Sequence, residues 1–151
     1  MAMMQNRADV IWEGDLRDGK GRLKVQSGAF PEQTVTFNAR TAATSGTTNP
    51  EELIAAAHAI CYSMAFSNHL SQNGSPPKQL RVSAISSLDR VEGGLKISGI
   101  DLQVEGDVPG LDPAEFERLA KEAEQKCPVS NALRGNVEIR LEAKPVTPAT
   151  I

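Results

Sequence analysis

The fold is decided by residues 48–65, which read TNPEELIAAAHAICYSMA. Asn49 can cap a helix here, because its side-chain oxygen can accept a hydrogen bond from a free N–H group of the first turn. Pro50 suits the first helical position, and Glu52 follows the cap by three residues, as in a capping box. The stretch therefore predicts the start of a long helix.

This helix is predicted to reach Leu70 and to end at Asn73-Gly74, since glycine readily adopts the conformation that closes a helix. From Leu53 to Phe66 its side chains are apolar or small nearly all round. A helix of that composition is typically buried on most sides. We therefore predict a central helix with Cys61 inside it.

Three short strands are predicted before the helix, because alternating side chains are bounded by turn-forming residues at Asp9–Trp12, Gly21–Val25 and Gln33–Ala39. Asp18-Gly19 favours a turn between the first two strands. A polar loop, Thr41–Thr48, then leads into the helix.

Two long strands are predicted after it, because side chains alternate from Leu80 to Leu88 and again from Leu95 onward. Glu92-Gly93-Gly94 turns the chain between them. The alternation changes phase at Ser98-Gly99, which predicts a β-bulge, since one extra residue moves the following side chains to the opposite face.

A second helix is predicted to begin at Asp112-Pro113. Cys127 lies on its apolar face, about 20° from Phe116 at 100° per residue. Pro128 ends the helix at the cysteine. The predicted buried stripe consists of Phe116, Leu119, Ala120 and Ala123.

A short turn, Val129–Leu133, and a strand around residues 137–141 complete the chain. The order strands, helix, two strands, helix, strand predicts an α+β fold, with a mostly antiparallel sheet packed on a long central helix and a second helix. We predict a single domain over residues 1–151, with loose termini at 1–6 and 144–151.

The composition suits one soluble domain, with 151 residues, 40% of them hydrophobic and 23% charged. A net charge of -3 and the lack of any Lys/Arg run argue against binding to nucleic acid or to an anionic membrane. Residues 1–6 do not form the apolar segment of a signal peptide, and the apolar run is shorter than the roughly 20 residues of a membrane span. We therefore predict a cytoplasmic location.

The two cysteines, Cys61 and Cys127, allow one intramolecular disulfide, and a lone structural disulfide would be unusual in the cytosol. The thiols are therefore either inert core residues or chemically active ones. An active Cys61 needs a lowered pKa, because only the thiolate is a nucleophile, and Arg40 or a protonated His58 could supply the charge. Spacing alone does not place the two cysteines together, since 66 positions separate them.

Glu51 stands ten residues before Cys61, which is about 15 Å along a helix, so it cannot touch the cysteine of its own helix. Its ordinary role is to stabilise the helix N-terminus. A role beside Cys61 would require a second copy of the chain, which gives the hypothesis of a dimer with composite sites. The two cysteines with His58 and His69 form a nominal zinc set, but the closely paired spacings of such sites are missing, and we predict no metal and a packed, hydrogen-bonded His58.

Both cysteine-bearing segments resemble the signatures of a known family. Residues 48–65 resemble the first-helix signature of OsmC/Ohr proteins, and Cys127-Pro128-Val129-Ser130 resembles their second-cysteine signature. The OsmC branch is indicated by Trp12–Asp15, Gly19–Gly21, Phe37–Arg40 and Val108–Asp112. The resemblance covers residues 8–142.

The resemblance implies a thiol peroxidase that reduces organic hydroperoxides and, more weakly, hydrogen peroxide. By position, Cys61 matches the peroxidatic cysteine and Cys127 the resolving cysteine. Arg40 and Glu51 match the pair that activates the thiol. Arg17 is the alternative arginine, because Ohr proteins take theirs from an earlier loop.

The family also implies an intertwined homodimer with sites at the subunit interface. It implies no metal, flavin or haem, and an external dithiol reductant, for which a lipoyl-type dithiol is one candidate. Ile60, Met64 and Phe66 are expected to line a pocket that prefers organic peroxides. Three alternatives stay open: a non-enzymatic thiol redox sensor or binding module of the same fold, a structural dimer with inert cysteines, and acyl transfer on Cys61.

Overall fold

The computed structural model describes residues 1–42 and 46–146. The chain forms two compact units, residues 1–53 and residues 54–151. Part of the predicted loop Thr41–Thr48 and the end of the predicted loose tail, residues 147–151, lie outside the described residues. Among the described helices, none is both long and apolar enough to cross a membrane.

The first unit contains an antiparallel sheet of three strands in the order β1-β2-β3. These are β1 (Ala8–Glu13), β2 (Lys20–Val25) and β3 (Gln33–Val35). The predicted turn joins the first two strands, and the backbone N–H of Gly19 donates to the carbonyl of Asp15 at 3.0 Å. The positions of all three predicted strands are confirmed.

The end of the third predicted strand is wrong. The strand stops at Val35, and the chain forms a short helix, α1 (Asn38–Thr41), instead of continuing to Ala39. The hydroxyl of Thr36 accepts a hydrogen bond from the N–H of Ala39 at 3.2 Å, and the N–H of Ala42 donates to Asn38 at 2.9 Å. These local hydrogen bonds satisfy backbone N–H groups that, in a strand, would have to bond to a neighbouring strand.

The long helix α2 begins at Pro50, as predicted, and runs to Gln72, two residues beyond the predicted Leu70. It ends in a Schellman motif, because Ser75 N–H donates to Leu70 at 3.0 Å and Gly74 N–H donates to Ser71 at 3.1 Å. Gly74 has φ of 79°, a backbone conformation that would be strained for a residue with a side chain. The C-terminal end of α2 is therefore closed at Asn73-Gly74, where the sequence predicted it.

The prediction that α2 is buried on most sides is wrong for the single chain, in which one face of the helix is exposed to solvent. One stripe is buried, and the opposite face is exposed, where the residues Ile60 and Met64 are 57% and 68% accessible. An apolar sequence pattern cannot distinguish burial within one chain from burial against a second molecule. The buried residues of α2 are Glu51, His58, Tyr62, Phe66, His69 and Leu70.

The second unit is built on a sheet with the order β4-β5-β6. Strands β4 (Gln79–Val91) and β5 (Gly94–Asp107) form an antiparallel hairpin, and the pairing shifts where Ser98 has no partner, which confirms the predicted bulge. Strand β6 (Glu138–Pro145) pairs with β5 in parallel. The tail predicted to be loose from Lys144 is therefore paired as far as Pro145.

Two helices follow β5 and complete the second unit. Helix α3 (Pro113–Lys126) is capped by Asp112, whose carboxylate accepts from the N–H of Glu115 at 3.0 Å. The segment predicted as a turn is a short helix, α4 (Pro128–Leu133), because Pro128 ends one helix and suits the first position of the next.

The predicted stripe of α3 is buried in the core of this unit. Phe116 lies edge-on to Phe66, with ring centroids 5.2 Å apart, and Phe66 stacks with Tyr62. Gly106 lies against the ring of Phe116, and a Cβ built there would be 2.7 Å from Cε2 of that ring. The core therefore brings α2 and α3 together on one face of the β4-β5-β6 sheet.

Candidate functional site

Folding brings Cys61 and Cys127 together. Cys61 lies in α2 and is half-buried, whereas Cys127 is fully buried between the end of α3 and the start of α4. Both are free thiols, and the Cys127 side chain lies near Cys61, close enough to affect the pKa of its thiol. Two free thiols in this arrangement can be oxidised to a disulfide and reduced again.

The surroundings of Cys61 raise the pKa of its thiol. Burial raises it most, the backbone N–H of Val129 opposes this by hydrogen bonding to the sulfur, and the neighbouring Cys127 raises it further. The interactions that act on Cys61 within residues 54–146 include no cation. The described part of this unit therefore does not lower the pKa of Cys61, as an active thiol would require.

His58 is not the cation considered for this purpose. Its ring is fully buried, and Nε2 lies 2.7 Å from the hydroxyl oxygen of Ser130. Burial lowers the pKa of His58, and the nearby Glu124 carboxylate only partly opposes that effect. The ring is therefore neutral at physiological pH and acts as a hydrogen-bonding group, which confirms the packed histidine predicted from the sequence.

His69 is held at the other end of α2. Lys126 Nζ donates to its Nδ1 at 3.1 Å, so Nε2 carries the proton and donates to Glu122 at 2.6 Å. Neither histidine shares a hydrogen bond with a cysteine. No group of three or more His, Cys, Asp or Glu side chains in residues 1–42 and 46–146 is arranged to hold a metal ion.

The first unit holds an arginine–glutamate pair. Arg40 Nε and Nη2 both donate to Glu51 Oε1, at 2.9 and 2.7 Å. The Glu51 carboxylate is buried, and its second oxygen, Oε2, has no hydrogen-bond partner among the described residues. Arg17 lies exposed in the β1–β2 turn, so Arg40 is the arginine that the fold pairs with Glu51.

The Asn49 side chain hydrogen-bonds to both segments that carry the arginine–glutamate pair. Its Oδ1 accepts from the N–H of Glu52 at 2.8 Å, which is the predicted helix cap, and its Nδ2 donates to the carbonyl of Ala39 at 2.9 Å. One side chain therefore joins the residue before Arg40 to the first turn of α2, which carries Glu51. The sequence predicted the cap but not the second bond.

An apolar pocket of about 270 Å³ adjoins Arg40. The residues expected to line a substrate pocket lie elsewhere, because Phe66 is fully buried in the core, while Ile60 and Met64 are on the exposed face of α2. The pocket walls come mainly from the first sheet and the start of α2. They include Trp12, Leu16, Leu23, Val35, Phe37 and Leu53.

Comparison with known proteins identifies the class to which this fold and dithiol belong. Residues 43–142 match the family model OsmC, described as OsmC-like protein. The chain belongs to the OsmC family.

Individual relatives agree with this assignment. The chain is 41% identical over 141 residues to Peroxiredoxin OsmC of Escherichia coli (strain K12), covering 93% of this chain and 98% of that protein. It is 36% identical over 95 residues to an organic hydroperoxide resistance protein of Xanthomonas axonopodis pv. citri (strain 306), covering 62% and 65%. The crystal structure of the organic hydroperoxide resistance protein OhrB of Bacillus subtilis superposes with a TM-score of 0.75 at 30% identity, covering 95% of this chain and all of that one.

Proposed function

We propose that the protein is a thiol-dependent peroxidase that reduces organic hydroperoxides, and hydrogen peroxide more weakly, by a disulfide cycle of Cys61 and Cys127. The family and the names of its relatives support the enzyme class, a thiol-based peroxidase. The observation that carries the proposal for the residues is the pair of free thiols that folding brings near each other.

In the proposed cycle, the Cys61 thiolate attacks the distal oxygen of the hydroperoxide. The O–O bond breaks, Cys61 becomes a sulfenic acid, and the leaving alkoxide takes a proton to give the alcohol. Cys127 then attacks the Cys61 sulfur, water leaves, and the disulfide forms. An external dithiol, with a lipoyl-type compound as one candidate, reduces the disulfide, and no metal, flavin or haem takes part.

The activating charge is proposed to come from a second copy of the chain. Residues 54–146, the described part of the second unit, supply no cation to Cys61, whereas Arg40 is permanently charged and Glu51 fixes its orientation. Glu51 precedes Cys61 by ten positions in the continuous helix α2, about 15 Å, so Glu51 and the thiol of one copy do not share a site. A homodimer would combine Arg40 of one copy with Cys61 of the other.

The exposed apolar face of α2 supports this homodimer. Ile60 and Met64 flank Cys61 on the helix and are more than half exposed in the single chain. A contiguous apolar face on a soluble protein commonly marks a protein interface. The apolar pocket beside Arg40 supports a substrate with an organic group, since its walls are largely hydrocarbon. We place the enzyme in the cytoplasm, where dithiol reductants are present.

The test is to treat the reduced protein with one equivalent of cumene hydroperoxide and to measure free thiols and intact mass. A two-cysteine peroxidase is expected to lose two thiols and about two hydrogens in mass. Cys61→Ser should abolish the reaction, whereas Cys127→Ser should stop at the sulfenic acid. No fast loss of thiols in the native protein would refute the proposal.

Repeated turnover separates the enzyme from a redox sensor. The native protein with a small dithiol should consume many equivalents of peroxide, measured by the peroxide remaining. A protein that forms the disulfide once and then stops would instead be a sensor of the same fold.

A further inference from the structure

A buried hydrogen bond links the two cysteine-bearing segments and has no role in the cycle described above. His58 Nε2 and Ser130 Oγ lie 2.7 Å apart, and neither side chain is accessible to solvent. His58 precedes Cys61 by three residues, and Ser130 follows Cys127 by three. The bond therefore joins α2 to α4 one turn away from each thiol.

Ser130 provides the only hydrogen bond that the histidine ring makes within the described residues. The second ring nitrogen, Nδ1, is buried and has no partner in residues 1–42 and 46–146. A buried polar group that loses its hydrogen-bond partner is left unpaired and desolvated, which is unfavourable, so the ring favours keeping Ser130 in place. The neutral state of the buried ring makes it suitable for this bond, because no charge has to be buried with it.

The start of α4 is the part of the chain that this bond fixes. Helix α4 has six residues, Cys127 is its N-cap, and Val129, which donates to the Cys61 sulfur, directly precedes Ser130. The other end of α4 is fixed separately, because Arg134 Nη2 donates to the buried Glu124 carboxylate at 2.9 Å. A helix this short has little stability of its own, so such contacts decide where it lies.

We propose that His58 and Ser130 are positioning residues that hold the start of α4, with the Val129 N–H and the Cys127 sulfur, against Cys61. The inference deepens the proposed function and rests on the same thiol pair. It predicts that their hydrogen bond sets the rate at which Cys127 closes the disulfide, since thiol–disulfide exchange requires the attacking sulfur to reach the other along a defined direction.

The test uses dithiodipyridine, which reports disulfide closure without any peroxide. The Cys61 thiolate attacks the disulfide of the probe, a mixed disulfide forms, and one thiopyridone leaves. Cys127 then attacks the Cys61 sulfur, the protein disulfide forms, and a second thiopyridone leaves. The absorbance of thiopyridone gives both rates in one experiment, and intact mass identifies each species.

Ser130→Ala is expected to slow the second release about tenfold relative to the native protein, because Cys127 loses its fixed position. Ser63→Ala is the matched control, since the Ser63 hydroxyl is partly buried in α2, the helix that carries Cys61. Among the described residues this hydroxyl donates to the carbonyl of Ala59 in its own helix, at 2.7 Å, and does not join α2 to α4. This control should close at the native rate. Closure at the native rate in Ser130→Ala would overturn the proposal.

Variants of the histidine provide a second test if Ser130→Ala folds poorly. His58→Gln keeps an amide nitrogen able to reach Ser130 and should retain most of the closure rate, whereas His58→Leu should lose it. Equal closure rates in the two variants at matched thermal stability would show that the ring acts only as core volume. A native protein that closes fast with the probe but does not reduce cumene hydroperoxide would refute the proposed peroxidase and leave the positioning role intact.

Discussion

Asn49 offers a clear test of how the fold holds the arginine–glutamate pair, because its two side-chain bonds can be removed separately. Asn49→Ser keeps an oxygen that can cap α2 but removes the Nδ2 donor to Ala39. Asn49→Ala removes both. The difference between the two variants therefore isolates the cap, and the difference between native protein and Asn49→Ser isolates the bond to Ala39.

The magnitudes follow from the two bonds. The part-buried bond to Ala39, 2.9 Å long, should contribute about 1 kcal/mol to the free energy of unfolding. The cap, 2.8 Å long, should contribute about 1 kcal/mol more. We therefore expect a loss of about 1 kcal/mol for Asn49→Ser and about 2 kcal/mol for Asn49→Ala, or shifts of roughly 3 and 6 °C in Tm for a domain of this size.

The assay is chemical unfolding at one fixed protein concentration, followed by the rate of cumene hydroperoxide consumption. The concentration is fixed because association would alter the apparent stability. Asn49→Ser should also slow peroxide consumption, since the Ala39 carbonyl directly precedes Arg40. Native stability and a native peroxide rate in Asn49→Ser would refute the role given to this bond.

Three further predictions concern the arginine, the buried histidine and the core. Arg40→Ala should slow peroxide consumption at least tenfold, and it should also lower the free energy of unfolding because the buried Glu51 carboxylate loses its partner. Arg17→Ala should leave both quantities near native, and steady-state kinetics with both variants would reveal a reversed assignment. Burial lowers the pKa of His58, so below about pH 6.5 the unfolded chain takes up a proton that the folded chain does not. Urea unfolding between about pH 7 and pH 5 should therefore show the native protein losing stability relative to His58→Gln, and parallel pH profiles would contradict this. Gly106→Ala should destabilise the protein by about 1–3 kcal/mol, because the added methyl group would meet the ring of Phe116, and thermal unfolding would measure the loss.

The sequence determined the elements whose signals are local. Asn49-Pro50 and Asp112-Pro113 predicted where α2 and α3 begin, because capping depends on residues within one turn. The change of alternation at Ser98-Gly99 predicted the bulge in β5, since side-chain period is a property of a single strand. The two cysteine segments also identified the family, which the comparison with known proteins confirmed.

Some local predictions failed where two local signals competed. The side chains of Gln33–Ala39 alternate as in a strand. The backbone N–H groups of Ala39 and Ala42 instead donate to the Thr36 hydroxyl and the Asn38 carbonyl, and the chain forms a short helix. The turn predicted at Val129–Leu133 became α4 because Pro128 favours a new helix as readily as it ends the old one. Intrinsic residue propensities alone did not decide between strand and helix after Thr36, or between turn and helix after Pro128.

The tertiary structure alone decided which distant residues meet. The separation of 66 positions along the chain carries no information about the approach of Cys61 and Cys127, which depends on how α2 and α3 pack on the β4-β5-β6 sheet. The same packing buries His58 against Ser130, and thereby makes the histidine a neutral hydrogen-bonding group rather than a cation beside the thiol. Sequence spacing fixes the contacts of residues within a turn or two of each other, whereas contacts between elements, and the burial that sets a pKa, exist only once the chain has packed.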